Sequence, residues 1–409
     1  ALFLGMMLLM VGNGIQGTLL GIRGGIEGFS TEAMSIVMAS YFAGFLFGSR
    51  AAPEMIRRVG HVRVFAALGS FISAVLILYP VAADPWAWSF LRLLTGFCFS
   101  GVYVTAESWL NEAASNENRG KALSLYMIVQ MVGIVSAQAL MLAADPGGFV
   151  LFIIPSVLIS LAFAPILLSI SPTPAFDTAK PLSLRQIMKI SPLGCVGMFL
   201  LGGVFSAQFG MAPVYGAEVG LSVGQISTFV SAFFVGALVL QFPIGWLSDR
   251  MDRRLLILIA AAICGLGGVV GALFGAFFPA LLLAGLMVGG MSNPLYSLLI
   301  AYTNDFLSHE DMAAAAGGMV FINGLGAVAG PVVTGWLMGQ LGAWAFFLVI
   351  AVLCFAVTGY AAYRMTQRAA PSVDETDSFT MVSMSASPLA VNFAAEYDYE
   401  TAQDEQDAG

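Results

Sequence analysis

The chain has 409 residues, of which 59% are hydrophobic and only 10% are charged, and its mean hydropathy is +0.88. Soluble globular domains carry about 25% charged residues, so this composition excludes a soluble globular protein and indicates an integral membrane protein. The formal net charge of −8 excludes little about ligands, because a block of nine acids without any Lys or Arg follows residue 368.

Twelve apolar runs follow one another along the chain, and each is long enough to cross a bilayer as a helix. Roughly 20 apolar residues in a helix span the hydrocarbon layer, which is about 30 Å thick. The predicted spans cover residues 1–22, 33–52, 62–83, 86–109, 121–143, 148–170, 193–215, 225–246, 255–277, 279–302, 313–338 and 343–364. The sequence therefore predicts an all-α, multi-pass membrane protein.

Basic residues are concentrated in the loops on one side of these spans. Lys and Arg mark the cytoplasmic loops of membrane proteins. With the N-terminus inside, every Lys and Arg except Arg23 and Arg92 falls in a cytoplasmic loop or at the root of the tail. We therefore expect both termini to be cytoplasmic.

One long polar segment divides the chain into two sets of six spans. It contains four prolines, and the stretch LSLRQIMKI within it can form a short interfacial helix. The acidic tail is expected to be solvated, so that truncation near residue 368 leaves activity intact. The predicted parts are an N-terminal six-helix half (1–170), a cytoplasmic linker (171–192), a C-terminal six-helix half (193–365) and a disordered acidic cytoplasmic tail (366–409).

The two halves also share a weak internal repeat. A shift of 192 residues sets YFAG at 41–44 on FFVG at 233–236, and it sets Gln16 on Gln208. Separate matches that keep one register over half of the chain favour a duplication. Two pseudo-symmetric halves are the expected result.

The charged loop GWLSDRMDRR at residues 245–254, between two long spans, resembles the loop signature of the major facilitator superfamily of secondary transporters. Arg92-x-x-x-Gly96 in the fourth span resembles a second signature of that family. The resemblance implies a monomeric transporter in a bacterial inner membrane, with neither a cofactor nor an enzymatic activity. It also implies that the two halves rock about a central cavity.

In that family, the loop acid and nearby arginines form a charge network that holds one conformation. Arg57 stands at the place of the acid in the first half, so that network must differ there and could use Glu54. The resemblance assigns a gating role to Arg57, Arg58, Glu112, Gly245, Asp249, Arg250, Arg253, Arg254 and Asp305.

Polar residues form one stripe along the fourth span. Arg92, Gly96, Ser100, Tyr103 and Glu107 recur at helical spacing. Because an ionised side chain in the bilayer costs at least about 2.5 kcal/mol, Arg92 should face the bundle or a wet cavity. Arg92 could instead bond only the carbonyls of a neighbouring helix, and Glu107 could simply mark the helix end.

Glu107 is the leading candidate for a proton carrier, because no acid lies deep within spans seven to twelve. Burial among apolar side chains favours the neutral form of a carboxyl group. A carboxyl that can exist in both forms is able to take up and release a proton.

Uncharged amides and a few other polar residues lie within spans that the resemblance places around the central cavity. Such groups can bond a polar substrate, although bonding between helices is an equal alternative. The candidate substrate-binding residues are Asn13, Gln16, Arg23, Arg92, Tyr103, Gln130, Gln208, Asn293 and Asn323.

The functional expectation is a secondary transporter whose partners are a small solute, a coupling ion, expected to be H⁺, and the lipid bilayer. Nucleic acid is not an expected partner, and no metal-ligand spacing occurs. Arg23 and Arg92 have no obvious acid partner in the sequence, which suggests a small organic anion as the solute. The alternatives are a proton-driven exporter of drug-like amphipathic compounds and, from other classes, a receptor or a lipid scramblase.

Overall fold

The computed structural model describes residues 2–113, 119–167, 182–367, 379, 381–383, 386–392 and 394. Eleven helical segments of this part of the chain are long and apolar enough to cross a membrane, and Val150–Ala164 is a shorter apolar helix. The helices are α1 (Leu2–Ile26), α2 (Thr31–Val59), α3 (His61–Leu78), α4 (Pro85–Ala113), α5 (Arg119–Leu140), α6 (Val150–Leu167), α7 (Leu184–Ile190), α8 (Pro192–Ser206), α9 (Ala212–Glu218), α10 (Val223–Ser248), α11 (Arg253–Phe274), α12 (Phe278–Asn304), α13 (His309–Leu341) and α14 (Ala345–Met365).

These segments correspond to the twelve predicted spans, with one irregularity in the seventh. A π-helical turn, Ala207–Met211, joins α8 to α9, so the span Pro192–Glu218 is not one regular helix. The short helix predicted in the linker is α7. It begins with a capping box, in which Ser183 accepts from the Gln186 N–H and the Gln186 side chain accepts from the Ser183 N–H.

The two halves are built on one packing pattern. In the first half, α1 packs against α5 and α6, α2 packs against α4, and α3 packs against α4 and α6. In the second half, α8 packs against α13 and α14, α10 packs against α12, and α11 packs against α12 and α14. The same pairs occur in the same order, which confirms the predicted pseudo-symmetry of the halves.

Glycines bring the backbones of α2 and α4 into contact. A Cβ atom at Gly44 would meet the Leu93 carbonyl oxygen, and one at Gly96 would meet the Tyr41 carbonyl oxygen, both far inside van der Waals distance. The crossing of α10 and α12 uses Gly236 in the same way. Small residues allow such close approach of helices in membranes, and Gly44 and Gly236 are partners in the sequence repeat.

We expect Gly96→Ala to lower the melting temperature of the purified protein in detergent. The added methyl group forces α4 away from the Tyr41 carbonyl, and overpacking of this kind typically costs about 1–3 kcal/mol. Gly359→Ala in α14 is the matched control, because a Cβ atom there meets nothing within 4 Å. Equal melting temperatures for the two variants would contradict the close crossing.

The halves contact each other through α2 with α13, α1 with α9, and α5 with α10. We call the end of the bundle that carries the α2–α3 and α10–α11 loops the arginine end. At the opposite end the halves meet directly, where the Thr31 hydroxyl donates to Glu218 at 2.9 Å. The backbones of α1 and α9 also approach each other there, since a Cβ atom at Gly21 would overlap Pro213.

The tail departs from the prediction of a solvated, disordered segment. Its described residues lie against both halves at the arginine end, and several have side chains only 2–5% exposed. These buried residues are Val382, Ala386, Ala390, Val391 and Ala394. The physical reason is local composition, because residues 379–394 contain no charged side chain although acids precede and follow them. The nine acids of the tail lie outside the described residues.

Candidate functional site

A cavity lies between the two halves, and the space inside it that is open to a water-sized sphere measures about 60 Å³. Five of the predicted substrate-binding residues line this cavity, and they come from both halves. These five are Asn13, Tyr103, Gln130, Asn293 and Asn323.

Aromatic rings form a large part of the cavity wall. Besides Tyr103, six aromatic residues that were not among the predicted site residues line it, three from α2 and three from the second half. These six are Tyr41, Phe42, Phe45, Phe205, Phe209 and Phe234. A signal was available in the repeat, because Phe42 aligns with Phe234 and both line the cavity.

Arg92 does not line the cavity but lies behind its wall, with a side chain that is fully buried. Its Nη1 donates to the Gln16 Oε1 at 2.6 Å, and its guanidinium lies 4.7 Å from the centre of the Tyr41 ring. The Gln16 Nε2 in turn donates to the Asn13 Oδ1 at 3.0 Å. A chain of hydrogen bonds therefore links the buried cation to an amide of the cavity wall.

This chain fixes the orientation of both amides. Arginine is only a donor, so Gln16 must present its oxygen to Arg92 and its NH₂ group to Asn13. The Asn13 oxygen is thereby occupied, and it also accepts from the Tyr41 hydroxyl at 3.4 Å. Asn13 offers its NH₂ group to the cavity. Gln130 also lines this wall, and its Nε2, which is buried and has no hydrogen-bond acceptor assigned among the described residues, is a further donor on this side.

The second half presents the opposite polarity. The Asn293 Nδ2 donates to the Gly289 carbonyl at 3.2 Å, and the Asn323 Nδ2 donates to the Met198 carbonyl at 3.0 Å. Both bonds use the NH₂ groups within the protein, which leaves each amide oxygen as the atom available to the cavity. The cavity thus has a donor wall, defined by Asn13 and Gln130, and an acceptor wall, defined by Asn293 and Asn323.

The remaining candidates bond within the protein. Gln208 does not line the cavity and donates to the Ser292 hydroxyl at 2.9 Å. Arg23 lies near the opposite end, where its Nε donates to Glu27 at 2.6 Å and its Nη1 donates to the Pro146 carbonyl. The expectation that Arg23 lacks an acid partner was therefore wrong. With Arg92 also behind the wall, the reason for an anionic solute is lost.

Glu107 lies on α4 toward the arginine end and is only 2% exposed. Its Oε1 accepts from the Tyr126 hydroxyl at 3.3 Å, and its Oε2 accepts from the backbone N–H of Ser387 at 3.0 Å. Both neighbours are uncharged hydrogen-bond donors. The predicted polar stripe of α4 is buried as a whole, since Ser100 and Tyr103 are each 1% exposed.

The sequence matches the family model described as Major Facilitator Superfamily over residues 2–218 and 194–393. Those two segments cover both six-helix halves. The chain belongs to the Major Facilitator Superfamily.

Relatives and solved structures of this superfamily agree with the fold. "Uncharacterized MFS-type transporter YcaD" of Salmonella arizonae is 25% identical over 358 residues, which cover 87% of this chain and 92% of the relative. An uncharacterized MFS-type transporter of Yersinia pestis is 26% identical over the same length and the same shares of the two chains. A variant of the nucleoside transporter NupG superposes with a TM-score of 0.73 at 14% identity, with 89% of this chain and 99% of that chain covered.

The E. coli fucose:proton symporter FucP superposes with a TM-score of 0.57, also at 14% identity, with 89% of this chain and 98% of that chain covered. At such low identity these two structures show the shared fold. They do not identify the solute of this MFS transporter, so the solute is inferred from the residues of its cavity.

Near the α2–α3 loop of the MFS transporter, charged residues form ion pairs with neighbours in the sequence. Glu54 accepts from the Nε atoms of Arg57 and Arg58 at 2.8 and 2.5 Å, and all three side chains are exposed. Glu54 thus bonds arginines of its own helix, α2, and its part in a network that holds one conformation stays a prediction. Ion pairs on the surface are worth about 0–1 kcal/mol, so these contribute little to stability.

The second-half loop contains a buried ion pair. Arg253 bonds Asp305, which joins the start of α11 to the end of α12, and both side chains are at most 3% exposed. Arg250 lies over the Trp246 ring at 4.3 Å. Partial burial opposes ionisation of Asp252, but hydrogen bonds from Arg254 outweigh it and lower the pKa of Asp252.

Gly245 and Asp249, at the start of the α10–α11 loop sequence, contact Phe379 of the tail. Asp249 accepts from the backbone N–H of Phe379 at 2.8 Å. A Cβ atom at Gly245 would overlap the Phe379 ring. The gating roles of the loop residues stay a prediction, and the side chain of Glu112 lies outside the described residues.

Proposed function

We propose that this MFS transporter is a secondary active transporter for a small, uncharged organic solute with a flat apolar body and both donor and acceptor groups. The observation that carries the proposal is the cavity wall. It combines aromatic rings with a donor wall and an acceptor wall, and the residues that line it in the described part of the chain include no ionised side chain.

The charge of the solute follows from what the wall can neutralise. Burying an ionised group costs several kcal/mol unless an opposite charge or several hydrogen bonds compensate it. Arg92, the nearest cation considered for this role, uses its Nη1 on Gln16 and lies behind Tyr41. A neutral solute needs no such compensation, whereas amides can satisfy its hydroxyl, carbonyl or amino groups.

Transport is proposed to follow alternating access, in which the two halves tilt about the cavity. Glu107 is proposed to carry the coupling proton, because it is a buried carboxyl with uncharged partners. We place the arginine end in the cytoplasm of a bacterial cell, at the inner membrane, following the distribution of Lys and Arg.

Matched pairs of solutes test the charge assignment. Uridine and uridine monophosphate, or benzamide and benzoate, share a ring and differ in charge. We expect only the uncharged member of a pair to raise the melting temperature, because ligand at 100 times its Kd stabilises a protein by about 2.7 kcal/mol. Stabilisation by the anions alone would overturn the proposal and favour an organic anion transporter.

Export of amphipathic, drug-like compounds is a second candidate, and the seven aromatic residues that line the cavity favour it. Large planar compounds would pack on these rings and use few of the amides. Asn13→Leu distinguishes the candidates, since it should weaken binding of a small polar solute and spare binding of a mainly apolar one.

A further inference from the structure

The segment 379–394 of the tail differs from its surroundings in composition. It reads FTMVSMSASPLAVNFA and carries no charge, whereas Asp377 precedes it and Glu396 follows it. Apolar residues alternate with small Ser and Ala residues, which fit narrow spaces between helices. We call residues 379–394 the tail plug.

The described part of the tail plug bonds the second half at two places. Asp249 accepts from the Phe379 N–H, as described above. Ser297 of α12 is a reciprocal partner of Val382: its hydroxyl accepts from the Val382 N–H at 3.0 Å and donates to the Val382 carbonyl at 3.1 Å. Backbone groups of the tail plug thus bond side chains at the end of α10 and on α12.

The tail plug bonds the first half through Ser387. Its N–H donates to Glu107, while its hydroxyl accepts from the Leu389 N–H at 3.2 Å and caps the helical residues 388–392. Pro388 occupies the first helical position, where a missing N–H is tolerated. The cap therefore turns the Ser387 N–H away from the short helix and toward the carboxylate of α4.

Between these anchors the tail plug borders the central cavity. Ser383 and Ala386 are part of its wall, and Met381 borders a cleft between α5 and α10. Ala386 and Ala390 border a small pocket together with Leu123 and Tyr126 of α5. The tail plug thus touches both halves and the cavity at the arginine end, where Arg50 of α2 also lies over the Phe321 ring of α13 at 3.8 Å.

We propose that the arginine-end face of the cavity is a peptide-binding site, and that its occupant is the tail plug of the same chain. The docked tail plug blocks solute from the cavity at this end and ties the two halves together through Asp249, Ser297 and Glu107. Release of the tail plug is then a condition for transport. This inference does not depend on which solute the cavity binds.

Two truncations isolate the tail plug from the acids that follow it. A chain that ends at residue 394 keeps the tail plug, and a chain that ends at residue 378 lacks it. Ser49→Cys places a thiol in the cavity wall, and the four native cysteines are buried. A membrane-impermeant maleimide, applied from the arginine end, should label this thiol at least about tenfold faster in the shorter chain, because tenfold protection requires only about 1.4 kcal/mol.

Met188→Cys on α7 is the control for accessibility, because Met188 is 43% exposed and should label equally in both chains. A synthetic peptide of residues 379–394 should restore protection of Ser49→Cys to the shorter chain. The same peptide with Ala386→Trp and Ala390→Trp should fail, since both alanines are at most 4% exposed.

The full-length chain with Ala386→Trp and Ala390→Trp gives the same test without truncation. Its Ser49→Cys thiol should be labelled as fast as that of the shorter chain. Equal labelling of Ser49→Cys in the two truncations, or no protection by the unmodified peptide, would overturn the proposal. A failure of the solute pairs to stabilise the protein would instead affect only the proposed function.

Discussion

Glu107→Gln is expected to abolish solute accumulation driven by a pH gradient while preserving downhill exchange. Each pH unit stores about 1.4 kcal/mol per proton, which supports about tenfold accumulation at one proton per solute. The amide cannot take up that proton. It keeps an oxygen that can accept from the Ser387 N–H, so the variant should fold and dock its tail as the parent protein does.

Proteoliposomes with an imposed pH gradient measure this effect, using the solute that stabilises the protein most in the paired screen. Glu54→Gln is the matched control, because Glu54 is an exposed carboxylate that pairs only with neighbouring arginines in the described structure. It should accumulate solute like the parent. If Glu107→Gln still accumulates solute in response to the gradient, the proton is carried elsewhere.

Arg92→Met is expected to weaken solute binding by about tenfold to a hundredfold. The hydrogen bond from Arg92 to Gln16 involves a charged donor, and such bonds contribute about 1.5–3 kcal/mol. Without it, Gln16 is free to flip and no longer holds the Asn13 oxygen, so the donor wall loses its fixed orientation. The variant should remain folded, because Arg92 makes no ion pair with a described residue, so its replacement leaves no uncompensated buried charge behind.

A double-mutant cycle separates this positioning role from direct contact. Gln16→Met should weaken binding as much as Arg92→Met, and the double variant should be no worse than either one, because both act through one chain of bonds. Arg23→Met is the control cation, since Arg23 bonds Glu27 and backbone carbonyls away from the cavity. If a thermal-shift titration gives Arg92→Met and the parent protein the same solute affinity, the chain of hydrogen bonds from Arg92 does not position the donor wall.

The sequence could predict the spans, the duplication and the burial of Arg92, because lipid imposes strict limits on length and charge. It could not assign the cavity rings, since lipid-facing surfaces and cavity walls both favour the same aromatic residues. Asn13 and Gln16 illustrate another limit. Both were candidates of equal rank, and only the distances to Arg92 place one in the cavity wall and the other behind it.

Two misjudged features left signals in the sequence. Arg23 and Glu27 are four residues apart at the end of α1, which is a spacing typical of an ion pair. The tail was predicted as one solvated unit from its total charge, although residues 379–394 are uncharged. This run is too short to span a bilayer, so it did not register as a span. Its burial depends on partners far away in the sequence, from Ser297, 85 residues before Val382, to Glu107, 280 residues before Ser387.

The division of the cavity into a donor wall and an acceptor wall affects the rate at which the transporter, without bound solute, returns to its starting conformation. A solute with a hydrogen-bond acceptor at one end and a donor at the other would bond the donor wall of the first half and the acceptor wall of the second half at the same time, as the halves move toward each other. Its binding energy would then lower the barrier to reorientation, whereas a vacant protein lacks that bridge. Counterflow of solute for solute would accordingly outpace net one-way movement.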